Sequence, residues 1–168
     1  SADEKTFYCF NRKNKSVVVH DLSNDKSKEY PLGSAVPSDA LDGSSAKIRF
    51  QISKDNKMLY ITSVIHDVKY LGSYYVFFSI VDFKNGNIST KCEYSAPSDD
   101  YTLSGPAWIS NDGKYGYVRR SYSGEETEND QSGVRFDVAT IDLNTKKVIN
   151  TSEIDDSSVA SNAYKVVV

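Results

Sequence analysis

His20, His66, Cys9 and Cys92 are the side chains of this 168-residue chain best suited to acid–base, nucleophilic or metal chemistry. A serine nucleophile needs a histidine base, an acid to orient it and an exposed attacking hydroxyl. His66-Asp67 supplies two neighbouring members, yet no Gly-x-Ser-x-Gly elbow occurs to present the serine. Zinc needs three or four converging His, Cys or carboxylate ligands, and the chain has neither His-x-x-x-His nor Cys-x-x-Cys spacing. Asp112-Gly113 resembles the middle of a calcium loop, but Ser110-Asn111-Asp112-Gly113 lacks the alternating acids that such a loop requires. The nine glycines are scattered, with no phosphate-cradling pattern. The sequence therefore predicts no catalytic residue, no metal site and no cofactor.

Charge narrows the classes further. Twenty basic against 23 acidic residues give a net charge of −3, and no basic stripe extends beyond Arg119-Arg120 and the short run from Arg12 to Lys15. Nucleic acid, whose phosphates demand such a stripe, is not an expected partner. No apolar run approaches the roughly 20 residues of a membrane-spanning helix. The start at Ser1 fits either a mature form that has lost a signal peptide or a trimmed chain. In an oxidising compartment Cys9 and Cys92, both on expected strands, would be candidates for one disulfide; two free thiols are the alternative.

These residues must be carried by strands. Tyrosine occurs 12 times against one Met and one Trp, a mix that suits half-buried strands. Ile52-Ser53-Lys54-Asp55-Asn56-Lys57-Met58-Leu59-Tyr60-Ile61 is matched by Ile109-Ser110-Asn111-Asp112-Gly113-Lys114-Tyr115-Gly116-Tyr117-Val118. Each is a strand end, a turn that accepts positive φ, and a second strand. A second hairpin follows each copy: Phe78–Ile88 answers Val138–Val148. The copies lie 57 residues apart from Ile52 to Ile109 and 60 apart from Val81 to Ile141, so the connections alone differ in length. Each copy is expected to be a four-stranded antiparallel unit. Tyr8–Val19 reads as a further copy of the second hairpin, and Ala163–Val168 as a strand that completes this first unit.

Ser110-Asn111-Asp112-Gly113-Lys114 and Ser53-Lys54-Asp55-Asn56-Lys57 resemble the turns in the β-propeller blades of the translocation protein TolB. The resemblance implies an all-β, propeller-like array of about three four-stranded sheets forming one domain over residues 1–168. Propellers usually have four or more blades, so a compact relative or a piece of a longer ring is implied.

Function is expected in the connections. Ser121–Gly133 is long, polar and acidic, whereas Ser63–Ser73 carries apolar and aromatic side chains. Long loops on a rigid sheet scaffold are common binding elements, and an acidic one can steer a basic partner. The order of strands and turns also resembles the periplasmic immunity proteins that neutralise cell-wall amidases delivered by type VI secretion. That resemblance implies a loop pushed into an enzyme's cleft, here Tyr122, Ser123, Gly124, Glu125 and Glu126. Glu128 and Asp130 extend the acidic finger, and His66, Asp67 and Tyr70 belong to the apolar one. The expectation is a periplasmic or secreted, non-enzymatic protein-binding module. Its partner would be a toxin or hydrolase with a basic or open active-site cleft. The alternatives are a propeller fragment of a larger hydrolase or sensor, and a cell-wall glycan-binding module using its tyrosines.

Overall fold

A computed structural model of the chain describes residues 5–11, 13–33, 36, 47–67, 73–96, 101–124 and 133–154. Among the described residues, eleven strands form three antiparallel sheets. The first sheet contains β1 (Thr6–Asn11), β2 (Ser16–Asp21) and β3 (Lys26–Pro31). The second runs β4 (Lys47–Ile52), β5 (Met58–Asp67), β6 (Ser73–Asp82) and β7 (Ile88–Ser95). The third runs β8 (Tyr101–Ile109), β9 (Tyr115–Ser123), β10 (Val134–Asp142) and β11 (Lys147–Ile154). Strands follow sequence order within each sheet, giving an all-β, propeller-like array. The expected closing strand, Ala163–Val168, lies outside the described residues.

The repeated turns close through the same hydrogen bonds in both complete sheets. The Ser53 hydroxyl donates to Asp55 and accepts the Met58 N–H, while the Ser110 hydroxyl donates to Asp112 and accepts the Tyr115 N–H. Asn56 and Gly113 take positive φ at the following position. Asn and Gly tolerate that geometry better than other residues. The Asp55 and Asp112 carboxylates are thus occupied by their own turns.

The second repeated turn is marked by an aspartate. The Oδ1 atoms of Asp21, Asp82 and Asp142 each accept the N–H two residues on, from Ser23, Lys84 and Asn144. Positive φ follows at Asp25, Gly86 and Lys146. The first sheet's counterpart of Phe78–Ile88 is therefore the β2–β3 hairpin, which corrects the expected Tyr8–Val19 assignment. A second bond confirms the phase: Leu22 N–H donates to the Lys5 carbonyl, as Phe83 does to Lys57 and Leu143 to Lys114. Strands β1, β2 and β3 hence correspond to β5, β6 and β7.

Two apolar layers join the sheets. Val17, Tyr30, Leu32 and Val36 pack with Leu59, Ile61 and Val81 between the first and second sheets. Tyr60, Val64, Val76, Phe78 and Cys92 pack with Leu103, Ala107, Ile109, Val118, Ile141 and Leu143 between the second and third. Full burial of each large aliphatic or aromatic side chain stabilises by roughly 1.5–3 kcal/mol. The middle sheet is covered on both faces, which is why β6 reads as an almost unbroken apolar run. Phe78 sits so close to Gly116 that a β-carbon there would lie 2.7 Å from its ring.

The disulfide does not form. Cys9 is a free thiol on the exposed face of β1, and Cys92 is buried between the second and third sheets.

Candidate functional site

The β5–β6 and β9–β10 connections are equivalent in the repeat and leave the same end of adjacent sheets. In the first sheet the corresponding connection, β1–β2, is a tight turn between paired Asn11 and Ser16. The strands of the other two sheets continue further. β5 and β6 pair as far as Asp67 opposite Ser73, and β9 and β10 as far as Ser123 opposite Val134. Much of each expected loop is therefore ladder: Ser63 and Val64 are buried strand residues, and Tyr122 and Ser123 belong to β9.

Two glycines fasten the β9–β10 finger at its root. The Gly124 N–H donates to the Gly133 carbonyl, and Gly133 takes a φ of 60°. A β-carbon at Gly124 would lie 2.6 Å from Arg135 Cγ. The backbone strands can meet here because one side chain is missing.

Below that root lies the charged anchor of the third sheet. Arg120 grips Asp137 through two hydrogen bonds, Nε to Oδ1 at 2.7 Å and Nη2 to Oδ2 at 2.6 Å. The two residues are paired across β9 and β10, and both are buried. Arg120 Nη1 donates to the Tyr94 hydroxyl at 3.0 Å, tying the anchor to β7 of the neighbouring sheet. The guanidinium also lies over the Tyr101 ring, 4.7 Å from its centroid. Burial works against its charge, but the Asp137 and Tyr94 hydrogen bonds outweigh that cost and raise its pKa. Burial in turn pushes the Tyr94 phenol up.

Tyr122 continues the anchor outward. Its ring packs on Tyr101 with centroids 5.2 Å apart, and its hydroxyl donates to Glu153 at 3.0 Å. That bond to a carboxylate raises the phenol's pKa, because ionising it would set two negative charges side by side. Of the expected finger residues, the structure thus unites Tyr122, Ser123 and Gly124 on one stiff hairpin. His66 and Asp67 end β5, opposite Tyr74 and Ser73. Glu125, Glu126, Glu128, Asp130 and Tyr70 lie outside the described residues. The Arg120–Asp137 anchor was missed in the sequence. Its signal was a charge pair at strand positions where the repeat elsewhere holds Ser63 and Phe77.

A second grouping involves His20, which lies 2.7 Å from Ser27 Oγ through Nδ1 and 3.3 Å from Asp25 through Nε2. The residue types are those of a catalytic relay. All three belong to one hairpin, however, with the Asp25 side chain 95% exposed, and His20 and Ser27 are simply registered cross-strand neighbours.

No protein-family profile matches the chain, and no curated protein sequence matches it. Solved structures with a related course of the chain include Pyrococcus horikoshii acylaminoacyl peptidase, at 14% identity and a TM-score of 0.44 over 89% of this chain and 22% of that one. Kuenenia stuttgartiensis hydrazine synthase matches at 16% identity and a TM-score of 0.37, over 92% of this chain and 52% of the other. The β-propeller domain of the Trilobed protease from Pyrococcus furiosus matches at 12% identity and a TM-score of 0.38, over 89% and 38%. The chain spans about a fifth of the peptidase and about half of the synthase. Among the described residues no helix is long and apolar enough to cross a membrane.

Proposed function

We propose that this chain is a non-enzymatic protein-binding module, an inhibitor or immunity protein that plugs the active site of a secreted or periplasmic toxin or hydrolase. The observation that carries this reading is the unequal treatment of one connection. The fold closes it with a tight turn at β1–β2, so the longer β9–β10 connection is not needed to build a sheet. The finger also rests on a stiff base, with its root held by Gly124 and Gly133 and the strands beneath it clamped by Arg120 and Asp137. A stiff base lowers the entropy lost when a loop enters a cleft. The acidic sequence of this connection, with Glu125, Glu126, Glu128 and Asp130, suits a basic or open cleft and speeds encounter with it.

The test is to immobilise the purified chain, pass the organism's envelope and secreted proteins over it, and measure the affinity of what is retained. The expected result is one enzyme or toxin bound at equal stoichiometry and inhibited. Changing Glu125, Glu126 and Glu128 together to Ala should weaken it by about tenfold or more, as for contacts central to an interface. Unchanged affinity overturns the plug.

One observation favours a second reading. The half-exposed Tyr101–Tyr122 pair with the Glu153 carboxylate offers ring faces and a hydrogen-bond acceptor to a sugar. Binding to cell-wall glycan that is lost in Tyr122→Ala, with no protein retained, would establish the glycan module instead.

A further inference from the structure

The turn between β6 and β7 carries a chemistry that its two counterparts lack. Asp21, Asp82 and Asp142 open equivalent turns, so Asn24-Asp25, Asn85-Gly86 and Thr145-Lys146 stand at the same place in the three sheets. In two of them an asparagine side chain folds back on its own backbone. Asn85 Oδ1 accepts the Asn87 N–H at 2.8 Å, and Asn24 Oδ1 accepts the Lys26 N–H at 3.1 Å. The ring closed by such an Asx-turn encloses the nitrogen of the next residue and holds the side-chain amide beside it. That next residue is Gly86 in one turn and Asp25 in the other, both at positive φ. Asn85-Gly86 is the sole Asn-Gly step of the chain, and Asn85 is exposed to water. Gly86 has no side chain to crowd its own nitrogen, and even an added β-carbon would meet nothing nearer than the Tyr30 ring at 3.8 Å.

We propose that Asn85 is a site of spontaneous covalent modification, deamidating through attack of the Gly86 nitrogen on its side-chain carbonyl carbon. The Gly86 N–H donates to the Asp82 carbonyl at 2.8 Å, so the turn opens at this bond before the nitrogen reacts. Exposed turns open with little free energy compared with core strands. The nitrogen then bonds to Asn85 Cγ and gives up its proton, and the side-chain amide nitrogen takes a proton and leaves as ammonia. While charge builds on Oδ1, the Asn87 N–H is the donor placed to stabilise it. Water opens the resulting cyclic imide at either carbonyl. Breaking the bond from nitrogen to Cγ leaves aspartate; breaking the main-chain bond leaves isoaspartate, with the backbone running through Cβ and Cγ.

The modified turn is part of the tie between the first and second sheets. The Tyr30 hydroxyl donates to the Phe83 carbonyl at 2.8 Å, and the rings of Tyr8 and Tyr30 pack on Phe83 at 5.7 and 5.0 Å. The turn is closed by the Asp82 N–H on the Asn87 carbonyl at 2.9 Å and by the Gly86 N–H on Asp82. The imide nitrogen carries no hydrogen, so the second bond is lost at that stage. Isoaspartate then lengthens the backbone between Asp82 and Asn87 and adds a negative charge, which loosens Phe83 from Tyr30. Neither neighbouring turn is open to this change, because Thr145 has no amide and the Asp25 β-carbon crowds the nitrogen beside Asn24.

The test is to incubate the purified chain at physiological temperature and pH, withdraw samples over time, and digest each with trypsin. Cleavage after Lys84 and Lys91 releases Asn85 on one peptide, and cleavage after Lys15 and Lys26 releases Asn24 on another. Chromatography with mass detection separates the asparagine, aspartate and isoaspartate forms of each. Asn85 should convert about tenfold or more faster than Asn24, because glycine alone leaves the attacking nitrogen uncrowded. Its rate should rise with pH, since the nitrogen must lose its proton. Thermal unfolding of the aged chain should show a lower-melting fraction that grows with isoaspartate at residue 85. Asn85→Thr, which copies the third sheet at an exposed position, should age without either change. Conversion at Asn85 no faster than at Asn24, or faster conversion at another asparagine, overturns the proposal. Isoaspartate that accumulates at residue 85 with an unchanged melting curve overturns its structural consequence.

Discussion

Single residues set the stability of the turns and of the finger's base. The carboxylates of Asp21, Asp55 and Asp112 are each held below the usual range, first by a serine hydroxyl and then by a backbone N–H. Asp142 is held low by the N–H groups of Thr145 and Asn144. A carboxylate with a depressed folded-state pKa stabilises above its unfolded pKa, and that contribution is lost as pH falls through the folded value. The thermal midpoint should therefore be flat from neutral pH down to about pH 4, the ordinary carboxylate range, and fall below it. Asp112→Asn should reduce that fall; an acid limb that is the same in this variant would show that other groups control it. The buried Arg120–Asp137 pair predicts a larger effect. Asp137→Asn leaves the guanidinium without its countercharge, and breaking such a pair costs about 3–5 kcal/mol. Urea denaturation should resolve that loss, and a change under 1 kcal/mol would mean that water reaches the pair.

At the scale of elements, β9 of the third sheet packs tightly on Phe78 of the second at Gly116. Gly116→Ala places a methyl group 2.7 Å from the Phe78 ring. The ring must shift within a filled layer, at a cost of about 1–3 kcal/mol. Denaturant unfolding should show that cost, and Gly116→Ala with Phe78→Leu should recover part of it; no recovery would place the strain elsewhere. The strands and both families of turn were legible because period-two alternation and Ser-x-Asp-(Gly/Asn)-Lys are local signals. The phase of the first sheet was not. Tyr8–Val19 has the strand–turn–strand pattern of any hairpin, whereas the discriminating mark is the aspartate at the turn, Asp21 answering Asp82 and Asp142. Ser1-Ala2-Asp3-Glu4-Lys5 also spells the first turn of the repeat, although residues 1–4 lie outside the described set. The insertion was legible, but the fastening at its base was not. Glycine, tyrosine and an Arg–Asp pair acquire their roles only when β8, β9, β10 and β7 come together.

For the whole molecule, scaffold and finger are separable, and that separation makes the proposed function testable without disturbing the core. The first sheet closes with four residues, Arg12 to Lys15, where the third uses ten, Gly124 to Gly133. Replacing 124–133 by Arg-Lys-Asn-Lys keeps the ladder to Ser123 and Val134 and leaves Arg120, Asp137 and Tyr94 in place. Loop closure varies with the logarithm of length, so the shorter connection changes stability by about 1 kcal/mol or less. The graft should unfold at nearly the same urea concentration as the parent, while its affinity for the captured protein partner drops below detection. Retained affinity would move the contact off the finger, with the β5–β6 hairpin the next element to shorten. Loss of both fold and affinity would show that the finger braces the sheet. Stability and binding should instead part company, because the layers that hold the three sheets together lie between their faces, whereas Gly124 and Gly133 stand just past the paired ends of β9 and β10.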